Sequence, residues 1–485
     1  MKENARGVLQ IIHNFASEKT MRAYRHSPLS CITTHTYSLI FIYIMAYTET
    51  TTTGYGTRLK NSLGGIGAGF VMFLGATCLL WWNEGRAVKT AKMLDEAQGN
   101  YVEMEDIKNV DPDLDGCLVH ATGEATTTDT VCDDIFGVKD LAIGMTRTVE
   151  YYQWVENSKS TTRDKLGGGE ETVTTYTYER KWVSQPVESA EFHDPQYQNA
   201  NKQLVTVEDQ RFNATAVAFG AYELSENQIA ALPCRTNVSV SIPDETLRAL
   251  DRDITTTYVR LNGRNPVRPE IVEPAAAAPA VNDTAAAEQQ QKREAYRALL
   301  VHQQTNSIYV GTNPGVPEIG DVRITYKKAK PGKVSLIAKV NGNSFGKYVA
   351  KNGKTLSVIR TGTHSADEMF QAEKDSNSAL TWGLRILGLI LVIMGLRSVF
   401  GILETLLKVV PFLANIMGFG ISMICGIVGF VWSVLVIAVA WIVYRPVLGI
   451  TLLVIAALVI FAFSSKGKAL IKQQIAARTQ AQPKE

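Results

Sequence analysis

The run Ile416–Tyr444, IMGFGISMICGIVGFVWSVLVIAVAWIVY, contains no Asp, Glu, Lys, Arg or His. A helix needs roughly 20 apolar residues to cross the hydrocarbon core of a bilayer, and this run is longer than that. A stretch this long and this poor in charge does not fit inside an ordinary soluble domain. The sequence therefore predicts a membrane protein, in which residues 416–444 form the clearest transmembrane helix.

Three further stretches have the composition of transmembrane helices. Residues 447–463 follow Arg445-Pro446, where a charge avoids the bilayer interior and a proline starts a new helix. Residues 380–400 carry an arginine near each end, from which the side chain reaches the head groups. Residues 62–82 end on paired tryptophans, as in an aromatic belt. The predicted fold class is an α+β membrane protein with four transmembrane helices, one early and three late, and a large β-rich lumenal domain.

The segment between the first two predicted helices, residues 83–379, shows patterns typical of β-strands. Arg147–Val155 and Thr172–Val183 are runs of Tyr, Trp, Thr and Val with glycines between them, which predicts a long hairpin. Between residues 262 and 300 the composition shifts to Ala, Pro and Gln, which predicts a flexible insertion. We therefore expect one β-rich domain interrupted by this insertion.

Lysine and arginine near the helix ends predict the orientation, because cytoplasmic loops carry an excess of both. They collect in the basic tail 464–485 and in the linker 401–415, so both segments are predicted to be cytosolic. The N-terminal tail 1–61 then lies on the same side, and we expect it to be disordered, with Met45 as an alternative start. The domain 83–379 is predicted to face the lumen.

No catalytic, cofactor-binding or metal-binding pattern occurs in the sequence. Phosphate-binding loops, nucleophile elbows and zinc-protease motifs are absent, and the histidines are scattered singly. The pair Asp133-Asp134 is more typical of a solvated face than of a cation site. A formal net charge of +2 without a basic patch gives no reason to expect nucleic acid. We therefore predict that the protein is not an enzyme and has no cofactor.

Small residues and sequons supply the other candidate positions. Small residues let helices approach each other closely in lipid, and the predicted packing positions are Gly65, Gly69, Gly418, Ser422 and Gly426. Sequons carry glycans in a lumenal domain, and the candidate acceptors are Asn213, Asn237 and Asn282. The pairing of Cys117, Cys132 and Cys234 stays open, because three thiols form at most one bridge among themselves.

Five short motifs carry a resemblance to a known family. They are Asn83-Glu84-Gly85-Arg86, the strand around Trp154, Gly320-Asp321, the segment around Trp382, and Arg445-Pro446. With these motifs in this order and one early helix followed by three late ones, the chain resembles the transmembrane protein 43 (LUMA) family. The resemblance runs from about Gly64 to the end of the last span. The insertion rich in Ala, Pro and Gln departs from the family pattern.

The resemblance implies a non-catalytic membrane scaffold. Members of the family reside in the endoplasmic reticulum and the inner nuclear membrane, self-associate, bind lamins and emerin, and help to maintain the structure of the nuclear envelope. The expected partners are therefore membrane lipid, further copies of this chain and membrane proteins of the nuclear envelope, with lamins and emerin only where the host has them. The alternative is a channel or transport component of an endomembrane, although the long spans lack the central ionisable groups that an ion pathway requires.

Overall fold

The computed structural model of the chain describes residues 46–266 and 299–447, together with positions 450, 451 and 454. Several predicted features lie outside these residues: the tail up to residue 45, the insertion between 267 and 298 with Asn282, the basic tail 464–485, and all but a few positions of the span 447–463.

In the described chain, long helices lie near both ends and most of the strands lie between them. The helices are α1 (Tyr55–Asn100), a short 3-10 helix (Pro112–Leu114), α2 (Glu226–Ala231), α3 (Asp244–Asn262), α4 (Ala366–Leu407) and α5 (Pro411–Tyr444). The strands are β1 (Ala46–Thr53), β2 (Val102–Met104), β3 (Leu118–Thr126), β4 (Thr130–Asp133), β5 (Val138–Leu141), β6 (Gly144–Asp164), β7 (Glu170–Val183), β8 (Gln210–Asn213), β9 (Ala218–Phe219), β10 (Tyr222–Glu223), β11 (Thr236–Asn237), β12 (Val301–Gln303), β13 (Ser307–Val310), β14 (Val322–Ala329), β15 (Gly332–Asn341), β16 (Ser344–Gly346), β17 (Tyr348–Val349), β18 (Thr355–Leu356) and β19 (Val358–Thr361).

Three helices in the described part of the chain are long and apolar enough to cross a membrane: α1, α4 and the segment Ile416–Tyr444 of α5. Each contains one predicted span, so the early span and two of the late ones are confirmed as apolar helices. α1 and α4 have 46 and 42 residues and continue well beyond their apolar segments. The linker predicted at 401–415 is shorter than expected, because α4 runs to Leu407 and a proline at the first position of α5 starts the next helix.

Small residues bring α1 and α4 into close contact in an antiparallel pair. A Cβ atom added to Gly69 would lie 2.7 Å from the carbonyl oxygen of Gly395, and one added to Gly395 would lie 2.9 Å from that of Gly69. One helical turn away, the Ser398 hydroxyl donates to the carbonyl oxygen of Gly65 at 2.8 Å. The two backbones can approach this closely only because neither glycine has a side chain.

The third helix, α5, turns back along the first two. Ala76, Leu80, Val392 and Val436 form a small buried cluster that joins α1, α4 and α5. Of the small residues predicted in α5, Gly418 lies against Glu404 of α4, Ser422 donates its hydroxyl to the carbonyl oxygen of Gly418, and a Cβ atom added to Gly426 would meet nothing within 4 Å. Of the predicted packing positions, Gly65, Gly69 and Gly418 therefore lie against a neighbouring helix.

The middle of the chain folds into two main sheets, which confirms the predicted β-rich domain. The first has eight strands in the order β1-β7-β6-β14-β13-β12, with β8 and β11 attached, and the second has seven in the order β19-β15-β16-β10-β9-β3-β2. The sequence of β14 explains why this segment forms a strand of the sheet. Its side chains are buried at every second position, at Val322, Ile324 and Tyr326, as a strand with one face on a core requires. One apolar core receives buried residues from both sheets.

A second apolar cluster fixes this domain to the helices. Met93, Leu94 and Ala97 of α1 pack with Met369 and Phe370 of α4 against the buried residues Leu118 and Ile337 of the second sheet. The amphipathic ends of α1 and α4 are thus part of the domain core. Burial of this many large side chains makes the helix pair and the domain one folded unit.

The hairpin of β6 and β7 extends far beyond the sheet that contains its base. Its strands pair without interruption from Tyr151–Val183 to Asp164–Glu170, and β1 pairs with the outer part of β7 from Ala46–Thr177 to Thr53–Glu170. We call β1 together with residues 152–164 and 170–182 the polar ribbon, which has three strands where β1 pairs with residues 170–177. With about 3.3 Å per residue, residues 152–164 span roughly 43 Å.

The tip of the polar ribbon contacts the ends of α1 and α4 that point away from the domain. The buried Arg58 guanidinium donates to the carbonyl oxygens of Gly168 and Gly169 at 3.1 and 3.2 Å, and lies 2.8 Å from both Asp164 and Glu170. The Gly167 amide donates to the carbonyl oxygen of Val409 at 3.3 Å. The ribbon therefore runs alongside the apolar segments of the helices.

These contacts correct two predictions. The sequence predicts that residues 46–61 belong to a disordered tail, but they form β1 and the first turns of α1, because a run of threonines favours an extended strand when a partner edge is present. It also predicts that residues 83–379 lie wholly on one side of the apolar helices. The ribbon tip instead lies beside the opposite helix ends, since sequence pattern predicts a hairpin but not the direction in which it points.

Candidate interhelical site

The motif Asn83-Glu84-Gly85-Arg86 lies where α1 leaves its apolar segment and faces α4 and α5. The side chain of Glu84 is 1% exposed. Its carboxylate accepts two hydrogen bonds from Arg385 of α4, from Nε at 2.7 Å and from a terminal nitrogen at 2.8 Å, and a third from Nε1 of Trp441 at 2.7 Å. One carboxylate therefore connects all three helices, through the fork geometry that makes arginine–carboxylate pairs strong and directional.

Two tryptophans cover the charge of Arg385. Its guanidinium carbon lies 4.9 Å from the ring centre of Trp382 and 5.6 Å from that of Trp441. Aromatic faces attract a cation, and they do so most strongly where water is excluded. Arg385 is thus neutralised by one carboxylate and enclosed by two indole rings.

A row of polar contacts continues from Glu84 along α1 and α4. The Asn83 side-chain amide donates to the Thr381 carbonyl oxygen at 3.0 Å. Arg86 donates to Oδ1 of Asn377 at 3.1 Å and to the Thr381 hydroxyl at 3.0 Å, and Asn377 donates to the Ala87 carbonyl oxygen at 3.1 Å. These bonds satisfy polar groups that would be costly to bury alone, and they set the register between the two helices.

Gly85 receives the end of α5. A Cβ atom at this position would lie 2.7 Å from the ring of Tyr444, so a larger residue would require this ring to move. Arg445 follows, and together with Lys374, Trp382 and Glu84 it lines a cavity of about 340 Å³ at this level of the bundle. The next residue, Pro446, is exposed. The geometry thus assigns a packing role to the glycine of the motif.

Comparison with known proteins identifies the family of the chain. The family model for transmembrane protein 43 matches residues 151–446, more than half of the chain. The chain belongs to the transmembrane protein 43 family.

Relatives in this family cover most of the chain. Transmembrane protein 43 of Rattus norvegicus is 30% identical over 405 residues, which cover 81% of this chain and 88% of the relative. The Homo sapiens protein is 28% identical over 404 residues with the same coverage, and the Drosophila melanogaster homolog is 26% identical over 397 residues, 80% of this chain and 91% of the relative. No solved structure matches the chain.

The structure separates the resemblance motifs into two places. Asn83, Glu84, Gly85, Arg86, Trp382 and Arg445 meet at the interhelical site described above. Trp154, Gly320 and Asp321 lie at the base of the polar ribbon, where the Tyr152 amide donates to the Asp321 carbonyl oxygen and the Gly320 amide donates to that of Tyr152. The second group therefore anchors the hairpin to the domain.

Asp321, at the base of the polar ribbon, has a carboxyl group whose pKa is raised. Its side chain is buried and accepts hydrogen bonds from the Tyr309 hydroxyl at 2.5 Å and from the Glu318 amide at 2.8 Å. Burial raises its pKa to about 6, although both hydrogen bonds act in the opposite direction. Gly311 gives the carboxyl group its space, since a Cβ atom there would overlap it.

Trp154 packs in an aromatic group on the ribbon. Its ring meets Tyr197 edge-on at 4.8 Å, and the Arg180 guanidinium lies 5.5 Å from its ring centre. Tyr197 in turn stacks on Tyr178 at 4.1 Å. The ring is thus a packing element of the hairpin.

The other candidate positions of the β-rich domain are structural or exposed. Asn237 is exposed, and Asn213 is half-buried, with its Oδ1 accepting from Nε of Arg211 at 2.8 Å. Cys117, Cys132 and Cys234 are free thiols. Asp133 pairs with the buried Arg147 at 2.6 Å and accepts from the Tyr326 hydroxyl. The described residues contain no group of three potential metal ligands.

Sequence reasoning missed the partners of Glu84. Trp441 lies inside an apolar run, where a tryptophan resembles an aromatic anchor at the membrane surface. Asn377, the partner of the neighbouring Arg86, precedes the predicted span and was missed as well. A charged residue at each of two span ends was the available signal: Glu84 follows the first span and Arg385 lies early in the second. An antiparallel arrangement of these helices would have placed the two charges at one level.

Proposed function

We propose that this protein is a non-catalytic multi-pass membrane scaffold that self-associates and organises membrane protein complexes. Its place would be the endoplasmic reticulum and the inner nuclear membrane, where it helps to maintain the structure of the nuclear envelope. A fourth membrane span over residues 447–463 and a cytosolic basic tail belong to the same proposal.

The observation that carries the proposal is the use of Glu84. In an enzyme or a proton carrier, a buried carboxylate near a cavity needs an oxygen that is free to bind a substrate or a proton, or a titratable neighbour. Here the carboxylate uses its hydrogen-bonding capacity on Arg385 and Trp441, so the most polar place among the helices holds the helices together. A rigid helix bundle joined to a folded domain through a shared core suits a protein that acts by contact.

The exposed surface of the bundle supports association within the membrane. Large apolar side chains of the described spans are exposed, among them Phe70, Val71, Phe419 and Phe430. Lipid covers such a surface, and other membrane proteins pack against it. The proposed partners are further copies of this chain and membrane proteins of the nuclear envelope, with lamins and emerin in hosts that have them.

Self-association and location can be tested with the same full-length protein. We expect mass photometry in lipid nanodiscs to show particles of more than one copy, and a fluorescent fusion to label the reticulum and the nuclear rim. Single copies at all lipid-to-protein ratios would contradict the scaffold. A fusion confined to the plasma membrane would contradict the location.

The second candidate function, a channel or transport component, is favoured by one observation. The polar ribbon runs beside apolar helix segments, where a hydrated path would need polar side chains. The test measures the flux of ions or small solutes into vesicles that contain the purified protein. The control is vesicles with the Arg58→Gln variant, in which we expect the ribbon tip to be released. Selective flux in the wild type alone would favour this function over the scaffold.

A further inference from the structure

The polar ribbon has a composition that hydrocarbon does not tolerate. Residues 156–164 read ENSKSTTRD and β1 reads AYTETTTT, and the side chains of residues 157–163 and 47–52 are exposed in the single chain. The ribbon is nonetheless anchored at both ends of the apolar segments, by the domain at its base and by Arg58 at its tip. It therefore lies at the depth that lipid occupies around α1, α4 and α5.

The ribbon also has two free edges. β14 pairs with β6 only as far as Tyr151, and the backbone groups of Tyr152 and Trp154 bond to the loops of the domain. The outer edge of residues 157–164 has no strand partner in the described chain. β1 is the last strand of its sheet among the described residues 46–266 and 299–447, so its outer edge has no strand partner there either. Open sheet edges do not occur facing lipid, because their amide and carbonyl groups would lack hydrogen bonds. A bilayer therefore requires that something other than lipid covers both edges.

The two edges match each other. Thr51 pairs with Thr172 of β7, and Thr162 pairs with the same Thr172, so Thr51 and Thr162 lie at one level on opposite edges. Both edge strands are antiparallel to β7, so they run in the same direction. The β1 edge of one ribbon can thus continue the β6 edge of another as a parallel pair, with every strand at the same depth.

We propose that a second copy of this chain covers these edges, with its β1 paired in parallel to residues 157–164 of β6. Repetition of this contact closes a ring in which the ribbons form a hydrated inner sheet and the apolar helices face lipid. The inference rests on the self-association in the proposed function and names the surface that mediates it.

A cysteine pair at positions 51 and 162 tests the contact. Within one chain these positions are two strands apart, about 9.6 Å, and a disulfide needs Cα atoms less than about 7 Å apart. In a background without the six native cysteines, oxidation of the Thr51→Cys, Thr162→Cys double variant in membranes should therefore yield covalent dimers and larger ladders. Each single variant should yield none.

A matched pair separates the possible failures. Thr51→Cys with Thr172→Cys joins directly opposed positions of one chain, and we expect an internal disulfide without covalent dimers. Oligomers in mass photometry without the 51–162 link would overturn the ribbon contact and leave the scaffold intact. Single copies would overturn both proposals. Failure of the internal 51–172 link would show that the ribbon does not form, which also overturns the inference.

Discussion

Glu84 is the single side chain on which the helix bundle depends most. Its removal leaves the guanidinium of Arg385, whose side chain is 16% exposed, without a counter-charge, and an uncompensated charge in a buried pair costs about 3–5 kcal/mol. We expect Glu84→Ala to lower the free energy of unfolding in detergent micelles by this amount, measured by denaturant titration of tryptophan fluorescence.

The control is Glu373→Ala, which removes the partner of Arg360 in a half-exposed pair at 3.0 Å. Exposed pairs contribute about 1 kcal/mol or less, so this variant should stay close to the wild type. Equal losses for the two variants would show that Glu84 does not hold the helices together.

Asp321 should make stability depend on pH. Its pKa is about 6 in the folded protein and about 3.9 in an unfolded chain, so the folded state binds more protons between these values. Its contribution to stability is present below about pH 4 and is lost as the pH rises through about 6, and a shift of two units corresponds to about 3 kcal/mol. Thermal unfolding of wild type and Asp321→Asn at pH 4 to 8 checks this.

We expect the advantage of the wild type over Asp321→Asn to shrink as the pH rises through that window. The comparison removes the titration of all other groups, which the two proteins share. A difference in Tm that is constant with pH would contradict a raised pKa for this carboxyl group.

At the scale of elements, the contact between α1 and α4 is set by glycine. Gly69→Ala places a methyl group within 3 Å of backbone atoms of α4, whereas Gly67→Ala on the same helix meets nothing within 4 Å. Overpacking costs about 1–3 kcal/mol, so we expect a loss of this size for the first variant and none for the second, measured by denaturant titration in micelles. Equal behaviour of both variants would contradict the close crossing.

Arg58 is the buried cation at the ribbon tip. Arg58→Gln removes the charge that Asp164 and Glu170 share, and it should free the loop that contains the exposed Leu166. We expect limited proteolysis of the purified protein to cut between residues 164 and 170 several times faster than in the wild type. Lys60→Gln is the control on the same helix turn, and an equal increase there would contradict the specific role of Arg58.

Sequence patterns predict elements well where one physical signal dominates. The apolar runs at 62–82, 380–400 and 416–444 and the hairpin around Trp154 follow from hydrophobicity and strand alternation, and the structure contains them. β1 was missed because its threonines have no apolar alternation, and its strand exists only through pairing with β7. The first turns of α4, residues 366–379, were missed because this part is amphipathic and packs on the domain.

At the scale of the whole molecule, the sequence predicts a membrane protein with a β-rich domain. Its motifs also indicate the family, which the comparison with relatives establishes. It could not predict that Glu84, Arg385 and Trp441 meet, because the three residues are separated by up to 357 positions in the chain. Nor could it predict that one hairpin returns along the helices to their far ends. Both depend on how the elements assemble, which no local pattern encodes.

The central claim is that the domain and the ribbon tip lie at opposite ends of membrane-spanning helices. Labelling of single cysteines with a membrane-impermeant maleimide in sealed microsomes tests it most directly, in a background without native cysteines. Leu166→Cys reports the tip, where the native side chain is 88% exposed, and Leu141→Cys reports the domain, where it is 48% exposed. The account predicts that one of the two is labelled in intact microsomes and the other only after permeabilisation. Labelling of both from the same side would contradict it.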